Sequence, residues 1–422
     1  MRICKAQRRR SFTIPNELVE EILSRLPVKS LMRFKCVSKA WHTLISSHRF
    51  AKSHSQRASQ NPNRMNVLVL TDNCVLSAGC EALFQSRAIH GQPVDVDFPG
   101  FPLWGEKHVE TNLASCNSLV CIELHNVDKW TAQYLVWNPS TKSYKNIPSP
   151  TSTPDSYWFG SFGFGYDYST DDYKILRPYY DIDIHMSDID IHMSKIEIFS
   201  LKTFTWKTIL VDMDNNFFIG SSIQNIKKTI YCNGAIYLSY KCFRKPPIIY
   251  FDLADEIFHK LSWPESVSYY DTSKTWELGT FGEHLCLSVC TGESRNALCI
   301  QLWVMKESWT RLATIPYRGT CPRPICVSKN GEKILLREKQ VGKNSEYIFK
   351  LIVINLKKKA YRKTRYDSKT IMEATTYVES LYSLDCNDGL NQHFQEEGSK
   401  GHKGNQEVCP KGYGDNYFQG GC

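Results

Sequence analysis

Asp181, Asp183, Asp188 and Asp190 alternate with isoleucines in a stretch that also holds His185 and His192. Carboxylates and imidazoles at such spacing are the ligands that divalent metals take. The stretch is a duplication, because Asp181-Ile182-Asp183-Ile184-His185-Met186-Ser187 recurs at once as Asp188 to Ser194. A strand alternates faces with period two, and the repeat length of seven is odd. On one straight strand the two copies therefore face opposite ways and cannot form one ligand set. No metal is expected. The duplication reads instead as a lengthened hairpin whose acids, beside Tyr179 and Tyr180, offer a surface for a basic protein partner.

Other reactive residue types lead no further toward catalysis. The 16 cysteines include no Cys-x-x-Cys pair, and Cys116 with Cys121, or Cys286 with Cys290, lack partners at metal-ligand spacing. Cys121, Cys286 and Cys299 sit in apolar runs, where a thiol behaves as a small hydrophobe. No Gly-x-Ser-x-Gly, His-Glu-x-x-His or phosphate-binding loop is present. Gly163-Phe164-Gly165 lacks the third glycine and helix of a dinucleotide site. A non-catalytic chain without cofactors is expected.

The formal net charge of +9 is partly local. Arg2, Lys5, Arg8, Arg9 and Arg10 form one basic cluster, and Lys357, Lys358, Lys359, Arg362, Lys363 and Arg365 another. No aromatic interleaving accompanies them, so they read as a solvated tail and a charged hairpin edge, not a nucleic-acid surface. No apolar run approaches the roughly 18 residues that a membrane helix needs. The expectation is a reduced, intracellular protein without membrane contact.

The elements that position these residues fall into two textures. From Ile14 to Ile45 the pattern predicts three short helices. Asn16 is placed to cap the first, which carries Leu18, Ile22, Leu23 and Leu26. Pro27 separates it from a second helix with Leu31, Phe34 and Val37, and Ser38 caps a third with Trp41, Leu44 and Ile45. Of these 32 residues 16 are apolar, more than so small a unit can bury alone. Some of that surface must meet another body.

Ile14, Pro15, Leu18, Ile22, Leu23, Leu26, Pro27, Leu31, Phe34, Val37, Ser38 and Trp41 resemble the F-box motif nearly position for position. That resemblance implies that these residues contact a Skp-type adaptor and, through it, the cullin scaffold of an SCF ubiquitin ligase. Val19, Met32 and Cys36 are expected to pack the helices together.

From about Asn66 the chain becomes short strand-like runs punctuated by Gly, Pro, Asn and Asp. One unit recurs: an apolar run, a polar turn, then an aromatic at Tyr144, Trp206, Phe258, Trp309 and Tyr361, at intervals of 62, 52, 51 and 52 residues. Each reads as the outer hairpin of a blade, with its aromatic packed between blades. Inner strands are expected at 117–123, 162–166, 234–240, 283–289 and 334–338. A period near 50 is the signature of a kelch-type propeller. A sixth blade is expected from 67–70 pairing with 377–384.

This part resembles the F-box-associated, kelch-like domain of plant F-box proteins. The carrying segments are Cys116 to Cys121 (with Ser118 where that family has glycine), Trp137 to Thr141, Gly163 to Asp167, Asp172-Tyr173-Lys174 and Tyr377 to Leu381. The expected organisation is a basic disordered tail at 1–10, an F-box at 11–55, an all-β propeller of about six blades at 65–385 and a disordered tail at 386–422. The implied function is substrate recognition for ubiquitination and degradation, in the cytoplasm or nucleus. Asp181, Asp183, Asp188 and Asp190 are the candidate substrate contacts. The alternative is a propeller hydrolase or carbohydrate-binding module without a ligase role, which adaptor binding would distinguish.

Overall fold

The innermost strands of a radial array are its most polar, and here they escape the sequence pattern that finds the outer ones. The computed structural model describes residues 14–59, 61, 64–71, 74–86, 91–94, 109–126, 131–150, 162–184, 189–211, 224–241, 248–267, 275–291, 298–341, 347–364 and 371–384. The two expected disordered tails and the first basic cluster lie outside these residues.

Four helices come first: α1 (Asn16–Ser24), α2 (Val28–Phe34), α3 (Lys39–Ser46) and α4 (His48–Ser59). Ser38 caps α3 as expected, accepting from the Trp41 N–H at 3.1 Å. Asn16 is instead the first helical residue, and Pro15 holds the cap position without a side-chain bond. The fourth helix was not expected, because its composition is polar. Phe50, Ala51, His54 and Ala58 nevertheless recur on one face and are buried.

Strands β1 (Met65–Thr71), β2 (Val75–Gly79) and β3 (Gln92–Val94) follow, with helix α5 (Cys80–Gln85) between the last two. Four sheets of four strands come next, which we number as blades 1 to 4. Blade 1 is β4 (Val109–Cys116), β5 (Leu119–Asn126), β6 (Thr131–Trp137) and β7 (Tyr144–Ile147). Blade 2 is β8 (Gly163–Asp167), β9 (Asp172–Ile184), β10 (Ile189–Ser200) and β11 (Thr205–Leu210). Blade 3 is β12 (Gln224–Cys232), β13 (Ala235–Lys241), β14 (Ile248–Asp252) and β15 (Phe258–Leu261). Blade 4 is β16 (Trp276–Phe281), β17 (His284–Thr291), β18 (Cys299–Met305) and β19 (Trp309–Pro316). Blade 5 is β20 (Arg323–Val327), β21 (Lys333–Val341), β22 (Tyr347–Asn355) and β23 (Ala360–Lys363). Blade 6 combines both ends of the array: β24 (Ile371–Val378) pairs antiparallel with β1, Asn66 opposite Tyr377 and Leu70 opposite Glu373.

The six-bladed propeller and its closure by strands from both ends agree with the sequence reading. The closing strand does not: it is 371–378, and residues 379–384 run on without pairing. Four of the five expected inner strands are second strands, and only 162–166 falls on an innermost one. The innermost strands face a central channel, so residues such as Asn112, Ser115, Lys228 and Thr280 interrupt their apolar alternation.

An apolar cluster fills each of the six gaps between neighbouring blades. Burying both faces of each sheet in this way is what makes radial repetition stable. Trp206 and Trp309 lie between blades as expected but are only half-buried, on outermost strands. Each uses its indole N–H to bind the preceding blade's outgoing chain, Trp206 to the Pro148 carbonyl and Trp309 to that of Ser262, both at 2.7 Å.

Gly163-Phe164-Gly165 belongs to this packing. A Cβ at Gly163 would come within 2.6 Å of Ile236, and one at Gly165 within 2.6 Å of Tyr231, so only glycine lets blade 3 close on blade 2. The Ser118 departure from the family pattern is also explained. The Asn233-Gly234 turn is left-handed at both residues, with φ of 48° and 81°, whereas in the Asn117-Ser118 turn only Asn117 is, at 53°. Ser118 needs no glycine-like backbone.

Two buried histidines make this fold acid-sensitive. His54 donates from Nε2 to the Leu26 carbonyl at 2.9 Å, and burial lowers its pKa. His125 on β5 is 5% exposed, and burial with Arg177 nearby lowers its pKa to about 4. The unfolded chain therefore binds protons that the folded one refuses. Stability is full above about pH 6.5 and is lost as pH falls toward 4. Between pH 7 and pH 5 the His125 share is about 1 to 2 kcal/mol. In thermal melts at the two pH values, His125→Gln should narrow the gap, and an unchanged gap would show that His125 is not the proton acceptor.

Candidate functional site

Helix α1 has an inward and an outward apolar face. Leu23 is 1% exposed and, with Leu31, Val28, Ile45 and Phe50, forms the helical core. Ile14, Leu18 and Ile22, spaced four apart, are 57%, 55% and 55% exposed. Val37 is 61% exposed, and Pro15 and Pro27 are exposed too. Leu26, Phe34 and Trp41 are half-buried against the core, the last two in edge-to-face contact at 5.6 Å. A row of large apolar side chains left in water is the mark of a docking surface.

The twelve residues singled out by sequence thus divide. Leu23 and Leu31 are core, Ser38 is a cap, Leu26, Phe34 and Trp41 are half-buried against the core, and the other six are exposed. Of the three neighbours expected to pack internally, only Val19 does so, and Met32 and Cys36 are exposed.

The chain segment after β24 ties this helical unit to the propeller. Leu381 is buried within the helical core itself. The Asn138 amide donates to the Ser380 carbonyl at 3.2 Å and the Tyr382 carbonyl at 2.9 Å. Tyr382 packs its ring on Tyr173 at 5.4 Å, and Leu384 joins the cluster between blades 1 and 2. Lys52 of α4 binds Asp171, in the turn after β8, at 2.8 Å. Asp167 at the head of that turn accepts from Ser169 and Thr170, and from Lys174 at 2.7 Å. Lys174 also binds Glu256 at 3.1 Å and the Leu253 carbonyl at 2.8 Å in blade 3. The segments that carried the family resemblance therefore meet at one junction, where the polar groups are bonded to one another.

All these contacts lie on the rim that holds the tight turns between first and second strands. The chain leaves one blade and enters the next at the opposite rim. Fifteen residues join β7 to β8 and thirteen join β11 to β12, against two from β4 to β5 and two from β12 to β13.

The duplicated segment reaches that opposite rim. Strand β9 has 13 residues where β5 and β17 have 8, an extension of about 16 Å at roughly 3.3 Å per residue. The lengthened hairpin agrees with the sequence reading, but the premise of one straight strand does not hold. The two copies pair with each other, Asp183 opposite Asp190 and Asp181 opposite His192. Asp188 lies outside the described residues. Among the described residues no group of three or more metal-ligating side chains is assembled.

Three residues of the second basic run are engaged in structure. Lys357 pairs with Glu332, Lys363 with Glu338 at 3.0 Å, and Arg362 donates to the Leu83 carbonyl at 2.8 Å.

Comparison with known proteins gives concordant matches at both ends of the molecule. Residues 12–53 match the family model of the F-box domain, and residues 75–384 match the F-box associated beta propeller domain. An F-box/kelch-repeat protein of Arabidopsis thaliana is 31% identical over 341 residues, covering 76% of this chain and 85% of the relative. The F-box protein CPR1 of the same plant is 28% identical over 417 residues, covering 90% and 91%. Among solved structures, TolB from Acinetobacter baumannii has a TM-score of 0.42 at 10% identity, covering 74% of this chain and 66% of TolB. AofleA from Arthrobotrys oligospora has a TM-score of 0.39 at 8% identity, covering 75% and 87%.

Proposed function

Because this chain belongs to the F-box proteins that carry an F-box-associated β-propeller, we propose that it is the substrate-choosing subunit of an SCF-type ubiquitin ligase. The observation that carries the reading is the exposed row Ile14, Leu18 and Ile22 on α1, continued by Pro15, Pro27 and Val37. A Skp-type adaptor buries this row, with Leu26, Phe34 and Trp41 at its margin, and links the chain to a cullin. The propeller holds a target protein on the rim opposite the F-box, where the chain passes from blade to blade. The chain itself supplies no reacting group. It accelerates ubiquitin transfer by holding the target near the conjugating enzyme, an effect of proximity and orientation. Its place of action is the cytoplasm or nucleus. No helix among the described residues is long and apolar enough to cross a membrane.

The direct test is co-expression with a plant Skp-type adaptor. The two should elute as one complex in size-exclusion chromatography, and a folded chain that elutes apart from the adaptor would overturn the reading. The target is sought among proteins that co-purify with the chain and accumulate when the proteasome is inhibited.

The acidic hairpin is proposed as part of the target surface, since loops on a rigid repeat scaffold vary without disturbing the core. Deleting Asp188 to Ser194 should leave melting temperature and adaptor binding unchanged while weakening capture of at least one target. Unchanged capture of every partner would remove the segment from recognition.

A further inference from the structure

The innermost strands enclose a channel of about 440 Å³, a volume in the range of small-ligand sites. Its mouth is lined by the tight-turn residues Asn117, Tyr168, Asn233 and Gly282, and its inner end by Lys228 and Arg323. At that inner end one carboxylate serves three cations. Glu373 on β24 meets Lys228 of blade 3, across the channel, at 2.5 Å. It meets Arg323 at 3.0 Å and Arg337 of β21 at 2.5 Å. Glu277 on β16 is the other carboxylate acting on Arg323, so three basic side chains face two acids, and burial with the neighbouring arginines pushes the Lys228 pKa well below its usual value. At the mouth the lining includes one further acid, Glu283, and one further base, Lys329.

These groups are poorly hydrated. The side chains of Arg323 and Glu373 are 7% and 8% exposed, Arg337 11% and Lys228 16%. Two of their donors, Arg323 Nη1 and Arg337 Nε, lack an acceptor among the described residues. Buried charge is costly unless paired and hydrogen-bonded. A surplus cation whose donors line a cavity is the arrangement that an incoming anion completes. The nearby hydroxyls are already committed, Thr229 to the Phe162 carbonyl and Thr280 to that of Ile325. The recognition is therefore by charge.

We propose that the channel binds a small oxyanion, a free phosphate or the phosphate or carboxylate group of a small molecule, held by Lys228 and Arg323 while Arg337 keeps Glu373 in place. The site does not depend on the ligase reading, since Lys228, Arg323, Arg337 and Glu373 all belong to the propeller.

The full chain should be titrated with inorganic phosphate and, separately, with citrate, in chloride buffer of matched ionic strength, by calorimetry and thermal melting. Saturable binding and a raised melting temperature are expected with at least one, and the tighter of the two identifies the source chemistry. Lys228→Met should reduce affinity at least tenfold. This variant leaves Glu373 paired with both arginines and so should fold, whereas Arg323→Gln risks the fold by loosening Glu373. If neither oxyanion acts beyond chloride, or Lys228→Met binds like the wild type, the site is not an anion site.

Discussion

Leu18→Asp/Ile22→Asp should abolish adaptor co-purification, lowering affinity at least 100-fold, with no loss of melting temperature. Both side chains are 55% exposed and neither belongs to the helical core. Their replacement therefore removes nothing that holds the fold. In the proposed complex, however, each aspartate would bring an unpaired charge into the apolar centre of an interface. Central apolar anchors carry about 2 kcal/mol or more each, and burying an unpaired charge adds to that. Leu23→Ala is the informative contrast. Leu23 is buried, so that variant should lose adaptor binding only by destabilising the helices, by about 2 to 5 kcal/mol. A folded Leu18/Ile22 double variant that holds the adaptor as the wild type does would place the interface elsewhere.

Lys174→Met should cost about 3 to 5 kcal/mol of unfolding free energy, the usual loss when one partner of a buried ion pair is removed. The Lys174 and Asp167 side chains are 8% and 0% exposed. Lys174 holds Asp167 well below the usual carboxylate range, as do the Ser169 and Thr170 hydroxyls. Without the ammonium group, Asp167 stays buried and charged, and among the described residues Glu256 keeps only Lys207 as a cation. The effect extends beyond stability, because Asp167 organises the turn whose Asp171 binds Lys52 of the F-box. Urea titration measures the loss. A shift below 1 kcal/mol would mean that water replaces the lysine at little cost.

What could be read from the sequence was what is local. The α1 stripe and the Ser38 cap are contiguous patterns set by helix geometry, so they were legible. So were the outer hairpins, where an apolar run, a turn and an aromatic follow within about ten residues. Helix α4 was missed because only four buried residues distinguish it from a polar tail. The inner strands β4, β12, β16 and β20 were missed because one of their faces lines a polar channel. Spacing alone could not separate Leu23 and Leu31 from Leu18 and Ile22, since core and docking residues are equally apolar. Nor could it place Leu381, whose partners are more than 300 residues away in sequence, or show that the duplicated copies fold back on each other. That last error came from assuming one strand where the chain makes two.

The ring is closed by β1 and β24, and the core of the F-box is completed by Leu381. On the ribosome this imposes an order of events. The F-box helices are synthesised first, yet they lack their last core residue until the whole propeller has been translated. Contacts so distant in sequence form late in folding. A nascent chain stalled before Leu381, or one broken by a premature stop, therefore offers an unfinished helical unit next to an open ring. The connectivity thus couples completion of the helical core to completion of the ring.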